Sequence, residues 1–150
     1  MNISLEEEFL INILFEENIR ENILGKIEEI NYEKLIKISS SHLVIPALFL
    51  NLKKKNIIDK FPNDFTDYLR EIYVLNKKRN LILLEEINYL KKKFNEIGVK
   101  FIFLKGSWFI LNNMYYDIGE RMINDIDILV LEESFIKSIK YLKELGYNNV

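Results

Sequence analysis

The chain of 150 residues contains no cysteine, a single histidine, two prolines and five glycines. Without cysteine there can be no disulfide framework and no zinc site built from thiolates. With His42 as the only histidine, a histidine-rich metal site is excluded, and no Ser-His-Asp arrangement can be assigned. A cysteine-free chain also fits a reducing compartment, so we expect a cytoplasmic protein.

The chain also has no large excess of basic or acidic residues. The chain has 21 basic and 23 acidic residues, a net charge of -2 and a pI near 5.6, which predicts no general attraction to nucleic acid or to an anionic membrane. Its N-terminus is acidic where a secretory signal would be basic. No apolar run approaches the roughly 20 residues needed to cross a bilayer. We therefore predict neither a signal peptide nor a membrane partner.

What the sequence does have is helical periodicity. Apolar residues recur at helical spacing over residues 5–23, where Ser4 is a fair N-cap. Two shorter helices are predicted over residues 32–38 and 46–55. Together these elements predict a helical N-terminal segment over residues 1–60.

The strongest periodic signal leads up to Gly98, where a glycine is expected to end a helix. Apolar side chains follow one another at spacings of three and four, at Phe65, Leu69, Ile72, Leu83, Ile87, Leu90, Phe94 and Ile97. The stripe is interrupted around Asn76 and Arg79, so one long helix and two helices with a kink both remain open. We assign residues 61–98 to this connecting helix.

Beyond residue 98 the period shortens. The elements predicted in order are a strand over Val99–Leu104 buried on both faces, a turn at Gly106-Ser107 into a helix through Trp108, Leu111 and Tyr115, a loop over 116–124, a strand over Asp125–Leu131, a helix ending at Gly146, and the start of a third strand over 147–150. This order predicts an α+β fold, in which a helical N-terminal region precedes a β-α-β-α unit with a small mixed sheet over residues 99–150.

Asp125 and Asp127 are the first candidates for chemistry. On a strand, residues two apart point to the same face, so both carboxylates would project together. Two neighbouring acids repel each other unless a cation bridges them. Carboxylates of this kind suit Mg²⁺ or Mn²⁺, which bind through one or two acids plus substrate phosphates. An isolated Asp-x-Asp is nevertheless weak evidence, because acids at strand ends are commonly solvated.

Gly106 and Ser107 stand between the first strand and a helix, and this is the second candidate element. A glycine there lets the backbone approach a ligand closely, and Ser107 can cap the helix whose amides favour a phosphate. Lys105 and Arg121 are candidate phosphate-binding cations. Taken singly, each of these residues is as well explained by an ordinary turn or a surface charge.

Their order along the chain carries more information than any one of them. The parts are Ser-His-Leu-Val-Ile-Pro-Ala-Leu-Phe at 41–49, Phe-Leu-Lys-Gly-Ser at 103–107, Arg121, and Asn-Asp-Ile-Asp-Ile-Leu-Val at 124–130. This arrangement resembles the DNA polymerase β-like nucleotidyltransferase superfamily, and within it the bacterial family of uncharacterised nucleotidyltransferases. The resemblance covers most of the chain from about Ser41 onward.

The resemblance implies transfer of a nucleoside monophosphate from a nucleoside triphosphate to an acceptor hydroxyl, by a two-metal mechanism. Asp125 and Asp127 would be catalytic and would bind Mg²⁺ or Mn²⁺, while Lys105, Gly106, Ser107 and Arg121 would bind the nucleotide. The acceptor is left open among RNA, protein and small molecules, and a homo-oligomer is possible. The superfamily has a third carboxylate on a later strand, which this sequence does not show. We therefore expect a fragment of a longer enzyme that is inactive on its own.

Two other functions remain open from the sequence. One is a catalytically inactive nucleotide-binding, regulatory or toxin–antitoxin interaction module, which the missing third acid would explain. The other is a glycosyltransferase that holds a sugar nucleotide through Asp-x-Asp. That site normally follows a complete nucleotide-binding sheet, whereas the first half of this chain is helical.

Overall fold

The computed structural model describes residues 3–148, which form two compact units. Among these residues, unit 1 comprises residues 3–79 and Asp117–Met122, and unit 2 comprises Asn80–Tyr116 and residues 123–148. The elements follow in the order α1 (Leu5–Phe15), α2 (Glu21–Leu24), α3 (Tyr32–Ser41), α4 (Ile45–Lys54), α5 (Asn63–Glu96), β1 (Phe101–Phe103), α6 (Lys105–Leu111), β2 (Ile128–Val130) and α7 (Glu132–Glu144). Short 3₁₀ turns lie at Ile27–Glu29 and Ile58–Lys60. The α+β class predicted from the sequence is confirmed.

Helix α1 begins as predicted and ends earlier than predicted. The Ser4 hydroxyl accepts a hydrogen bond from the Glu7 amide, and the Glu7 carboxylate accepts one from the Ser4 amide at 2.8 Å, which completes a capping box. The helix stops at Phe15 rather than near Ile23. Just beyond it, the Lys55 ammonium donates to the carbonyls of Glu16 and Glu17, so these groups find partners outside a helix.

The core of unit 1 forms where α1, α3 and α4 pack together with the first part of α5. Its most buried side chains are Phe9, Ile13, Ile23, Leu35, Leu48, Leu52 and Leu69. One acid is buried beside this core. The Glu6 carboxylate binds the Lys34 ammonium at 2.6 Å and the Asn31 amide at 3.2 Å, and so joins α1 to α3.

Helix α5 is one continuous helix of 34 residues and is not divided into two separate helices. Polar residues interrupt the apolar stripe in the middle of this helix, but the buried face of the helix is continuous there. Asn76 and Asn80 are 4% and 0% exposed and lie at helical spacing between Ile72 and Leu83. The buried face therefore continues through the middle of the helix with amides in place of hydrocarbon.

In unit 2, β1 and β2 pair antiparallel, with Phe101 opposite Val130 and Ile102 opposite Leu129. Phe101 packs against Phe94 of α5 with ring centroids 5.3 Å apart. Ile102 and Leu129, on the other face of the sheet, are both more than half exposed. The prediction of a strand buried on both faces was therefore wrong, because an unbroken apolar run does not reveal how many faces have a packing partner.

Two glycines end helices as predicted. Gly98 and Gly146 have φ of +67° and +95°, a conformation that is strained for residues with a Cβ. After each glycine the chain folds back. The Val99 amide donates to the Phe94 carbonyl, and the Tyr147 amide donates to the Leu142 carbonyl. The predicted third strand is not formed at residues 147 and 148, and its remaining residues lie outside the described ones.

Among residues 3–148, no single helix is both long and apolar enough to cross a membrane. Helices α3 and α4 satisfy that test only when taken together, and they are bent by 119° relative to each other.

We predict that Glu6→Gln lowers the free energy of unfolding by about 1–2 kcal/mol at pH 7. The hydrogen bond from Lys34 and a backbone hydrogen bond lower the pKa of Glu6 from 4.5 to about 2. A carboxyl with a lowered folded-state pKa stabilises the fold above its unfolded pKa and loses that contribution as the pH falls. The difference between wild type and variant should therefore shrink between pH 4.5 and pH 2.

Urea unfolding followed by circular dichroism across this pH range measures the effect. Glu17→Gln, which changes an exposed acid after α1, is the matched control and should leave stability unchanged. Equal unfolding free energies of Glu6→Gln and wild type at pH 7 would contradict the prediction.

Candidate functional site

The two candidate motifs of unit 2 meet at the end of β1. The antiparallel pairing continues one step beyond the strands, because the Leu104 amide donates to the Asp127 carbonyl at 2.9 Å. Asp127 therefore lies beside the residue that precedes Lys105. Residues more than 20 positions apart in the sequence become neighbours through this pairing.

Lys105 begins α6 and faces Asp127. Its ammonium lies 3.1 Å from the Asp127 carboxylate, with side chains that are 68% and 28% exposed respectively. The backbone of Lys105 has φ of +49°, the left-handed region, which costs roughly 1–2 kcal/mol for a residue with a Cβ. A salt bridge this exposed contributes little to stability and so does not by itself offset the strain.

The two aspartates are placed differently from the sequence prediction. Strand β2 begins at Ile128, so both precede it, and the alternation of side chains along a strand does not extend to Asp125. Asp125 is exposed, and Ile126 and Ile128, whose side chains would enter the core if the strand began at Asp125, are only partly buried. The predicted strand over Asp125–Leu131 was too long, because only three residues of β1 are available to pair with it.

Ser107 does not cap α6 as predicted. Helix α6 begins at Lys105, two residues before Ser107. Its N-cap is Leu104, and no side chain forms a capping hydrogen bond. Ser107 is 1% exposed, and its hydroxyl donates to the Asp125 carbonyl at 3.5 Å. The serine therefore connects the start of α6 to the segment that carries the aspartates.

Gly106 packs closely against the side chain of Ile123. A Cβ at this position would lie 2.9–3.1 Å from three carbon atoms of the buried Ile123 side chain. Such distances are too short for an ordinary contact, so only glycine lets α6 lie this near the segment before Asp125. Contact of Gly106 with a nucleotide stays a prediction.

Arg121 belongs to unit 1, together with the rest of the loop Asp117–Met122. The side-chain amide of Asn76 donates to the carbonyls of Gly119 and Arg121 at 2.8 and 3.0 Å. Arg121 itself is exposed. Its backbone is thus held by α5, and its proposed role in nucleotide binding remains a prediction.

A second contact holds the same loop. The Lys77 ammonium binds the Asp117 carboxylate at 2.7 Å and the Tyr73 hydroxyl at 3.1 Å. The hydrogen bond to Asp117 raises the pKa of Lys77. Burial opposes ionisation of Asp117, yet its hydrogen bonds with Lys77 and the Gly119 amide outweigh burial and lower its pKa.

Sequence reasoning missed these loop-holding residues. Asn76 was identified only as an interruption of the apolar stripe, and Lys77 was not identified as a candidate residue. The available signal was the spacing of Asn76, which falls on the buried face of the helix. A buried amide needs hydrogen-bond partners, and the Asn76 side-chain nitrogen finds them in the carbonyls of Gly119 and Arg121.

The carboxylate oxygens of the candidate site are ligands of the kind that a hard divalent cation prefers. Asp127 and Asp125 offer oxygen ligands, and Mg²⁺ commonly takes one or two carboxylates and completes its shell with water and phosphate oxygens. Within residues 3–148, no group of three acidic or histidine side chains is arranged to hold a metal. Metal binding by Asp125 and Asp127 stays a prediction.

Fold and site together define an α+β protein in which a lysine-glycine-serine turn lies against an Asp-x-Asp segment. The model of the family described as "Uncharacterised nucleotidyltransferase" matches residues 28–150. The chain belongs to this family of nucleotidyltransferases. Comparisons with curated proteins and with solved structures gave no match.

We predict that Gly106→Ala lowers the free energy of unfolding by roughly 1–3 kcal/mol, because the added methyl group must displace Ile123. Thermal unfolding followed by circular dichroism measures the loss. Gly25→Ala is the matched control, since a Cβ there meets only one backbone oxygen at 3.6 Å. A Gly106→Ala protein as stable as the Gly25→Ala protein would show that the close packing does not exist.

Proposed function

We propose that the protein transfers a nucleoside monophosphate from a nucleoside triphosphate to an acceptor hydroxyl. The observation that carries this proposal is the contact between Lys105 and Asp127, at 3.1 Å. It puts a cation suited to phosphate next to a carboxylate suited to a metal, in a member of a nucleotidyltransferase family.

In this proposal the charges of the site divide between two tasks. Asp127 and Asp125 hold Mg²⁺ or Mn²⁺, which when bound supplies charge stabilisation for the attacking oxygen and the leaving pyrophosphate. Lys105 binds a phosphate oxygen, so its ammonium moves from Asp127 to the substrate. Ser107 keeps the Asp125 segment against α6 through the hydrogen bond to its carbonyl.

The remaining nucleotide contacts are proposed from chemistry and sequence position. Gly106 permits the close packing of the turn, and Arg121, four residues before Asp125 in the chain, offers a planar group for bidentate phosphate binding. The acceptor is proposed only as a hydroxyl compound, whether on RNA, protein or a small molecule.

A titration tests the assignment. We expect the full-length protein to bind ATP with Mg²⁺, and Asp127→Asn to weaken metal-dependent binding at least tenfold, about 1.4 kcal/mol. Isothermal titration calorimetry with each of the four nucleoside triphosphates, with Mg²⁺ and with EDTA, provides the measurement.

Asp59→Asn, which neutralises an exposed acid of unit 1, is the control and should bind as the wild type does. Equal binding by the Asp127→Asn and wild-type proteins would reject the metal role of Asp127. Absence of binding of every nucleotide to the full-length protein would reject the proposed function.

A second candidate function is a nucleotide-binding module without transfer activity. The same ion pair favours it, because the Asp127 charge already has a counterion within the chain. The titration separates the two functions, since such a module would bind nucleotide equally well in Mg²⁺ and in EDTA.

A further inference from the structure

Unit 1 carries an apolar groove that the proposed function does not use. The groove has a volume of about 500 Å³ and is lined by α1 and by the end of α3 with the residues that follow it. Its lining residues all lie between positions 3 and 44, so the groove belongs entirely to unit 1. Hydrocarbon side chains make up most of the lining, and its two ionisable groups are Glu7 and His42.

Large apolar side chains along α1 are left open to solvent at this groove. Ile3, Ile11 and Phe15 are 62%, 45% and 79% exposed, and all three line it. They follow one face of α1 along its full length, which is about 16 Å for 11 residues. Single apolar residues are common on protein surfaces, but a row of them beside a groove is typical of an interaction surface.

Leu43 is a further exposed apolar residue at this place. It stands between the lining residues His42 and Val44, is 44% exposed and has φ of +57°. This conformation is strained for leucine, and a helix end that needs it usually has glycine or asparagine there. The chain therefore keeps an apolar side chain at the surface where the end of α3 alone would favour a different residue.

The charge beside the groove is negative. Residues 3–19 contain five acidic and no basic residues. Lys34 pairs with Glu6 and Arg20 pairs with Glu16, whereas Glu7 and Glu8 form no salt bridge among the described residues. Hydrogen bonds from Ser4 lower the pKa of Glu7, so this lining carboxylate is ionised at neutral pH. The last turn of α1 also has no basic residue to offset the negative end of the helix dipole.

We infer that this groove binds a basic amphipathic helix of a partner protein. Apolar residues at positions i, i+4 and i+7 of such a helix would fill the groove, and its lysines or arginines would face Glu7 and Glu8. The acids disfavour contact of this face with its own copy, and they disfavour an anionic membrane or a nucleic acid. This inference does not rest on the proposed function, whose residues Lys105 and Asp127 lie in unit 2.

The test uses the full chain and a fluorescein-labelled peptide of about 18 residues, roughly five helical turns. The peptide has leucine at helical spacing and lysine elsewhere. One comparison peptide has the same composition without the leucine stripe, and another has glutamate in place of lysine. Fluorescence anisotropy should show saturable one-to-one binding of the first peptide and at least tenfold weaker binding of both others.

Two variants of the groove test its apolar contacts. We expect Ile11→Ser and Phe15→Ser each to weaken binding of the basic peptide at least tenfold. Leu75→Ser is the matched control, because Leu75 is a 55% exposed apolar residue of unit 1 outside the groove, and this variant should bind as the wild type does. Circular dichroism verifies that each variant is folded.

A third variant tests the charge. Glu8→Gln should weaken binding of the basic peptide severalfold and make it less sensitive to salt. Glu71→Gln, which changes an exposed acid of α5, is the matched control and should have no effect.

Several results would overturn the inference. These are equal binding of the three peptides, no binding of the basic peptide, or unchanged binding by Ile11→Ser and Phe15→Ser. A dimer in light scattering that Phe15→Ser converts to a monomer would assign the groove to a second copy of the chain. Binding to phosphatidylglycerol vesicles that Phe15→Ser abolishes would assign it to a membrane surface.

Discussion

The buried face of α5 is the constraint on which the rest of the structure depends. It runs from Phe65 to Phe94 at spacings of three and four residues and contributes to both units. At its middle the face carries amides, and a buried amide without partners costs about 1–3 kcal/mol. The side-chain nitrogen of Asn76 meets this requirement with two carbonyls of the loop Asp117–Met122, whereas its side-chain oxygen has no hydrogen-bond partner among the described residues. The need to satisfy one buried group thus determines where a distant loop is attached.

In unit 2, backbone pairing and close packing likewise bring together segments that are distant in the sequence. The Leu104 amide continues the sheet pairing to Asp127, and Gly106 lets α6 lie against Ile123. These contacts bring the two motifs of the candidate site together and leave their charges at the surface. An exposed pair such as Lys105 and Asp127 adds little to stability, so these two residues contribute little to the folding of unit 2 through their charges.

The predictions succeeded where the determining interactions are local. Ser4, Gly98 and Gly146 act on helix ends within a few residues of themselves, and each was recognised correctly. Predictions failed where an element depends on distant partners. The length of β2 depends on β1, and the burial of β1 depends on what covers each face. Ser107 was expected to cap a helix, yet its hydroxyl is directed to the Asp125 carbonyl.

By itself, the sequence determined the α+β class, the helix ends marked by Ser4, Gly98 and Gly146, and the residue types suited to phosphate and metal binding. It could do so because periodicity, capping and ligand chemistry act over a few residues or reside in single side chains. Only the tertiary structure decided that Lys105 faces Asp127 and that Asn76 and Lys77 hold the loop of Arg121. These partners are more than 20 residues apart, so their pairing follows from packing rather than from any local pattern.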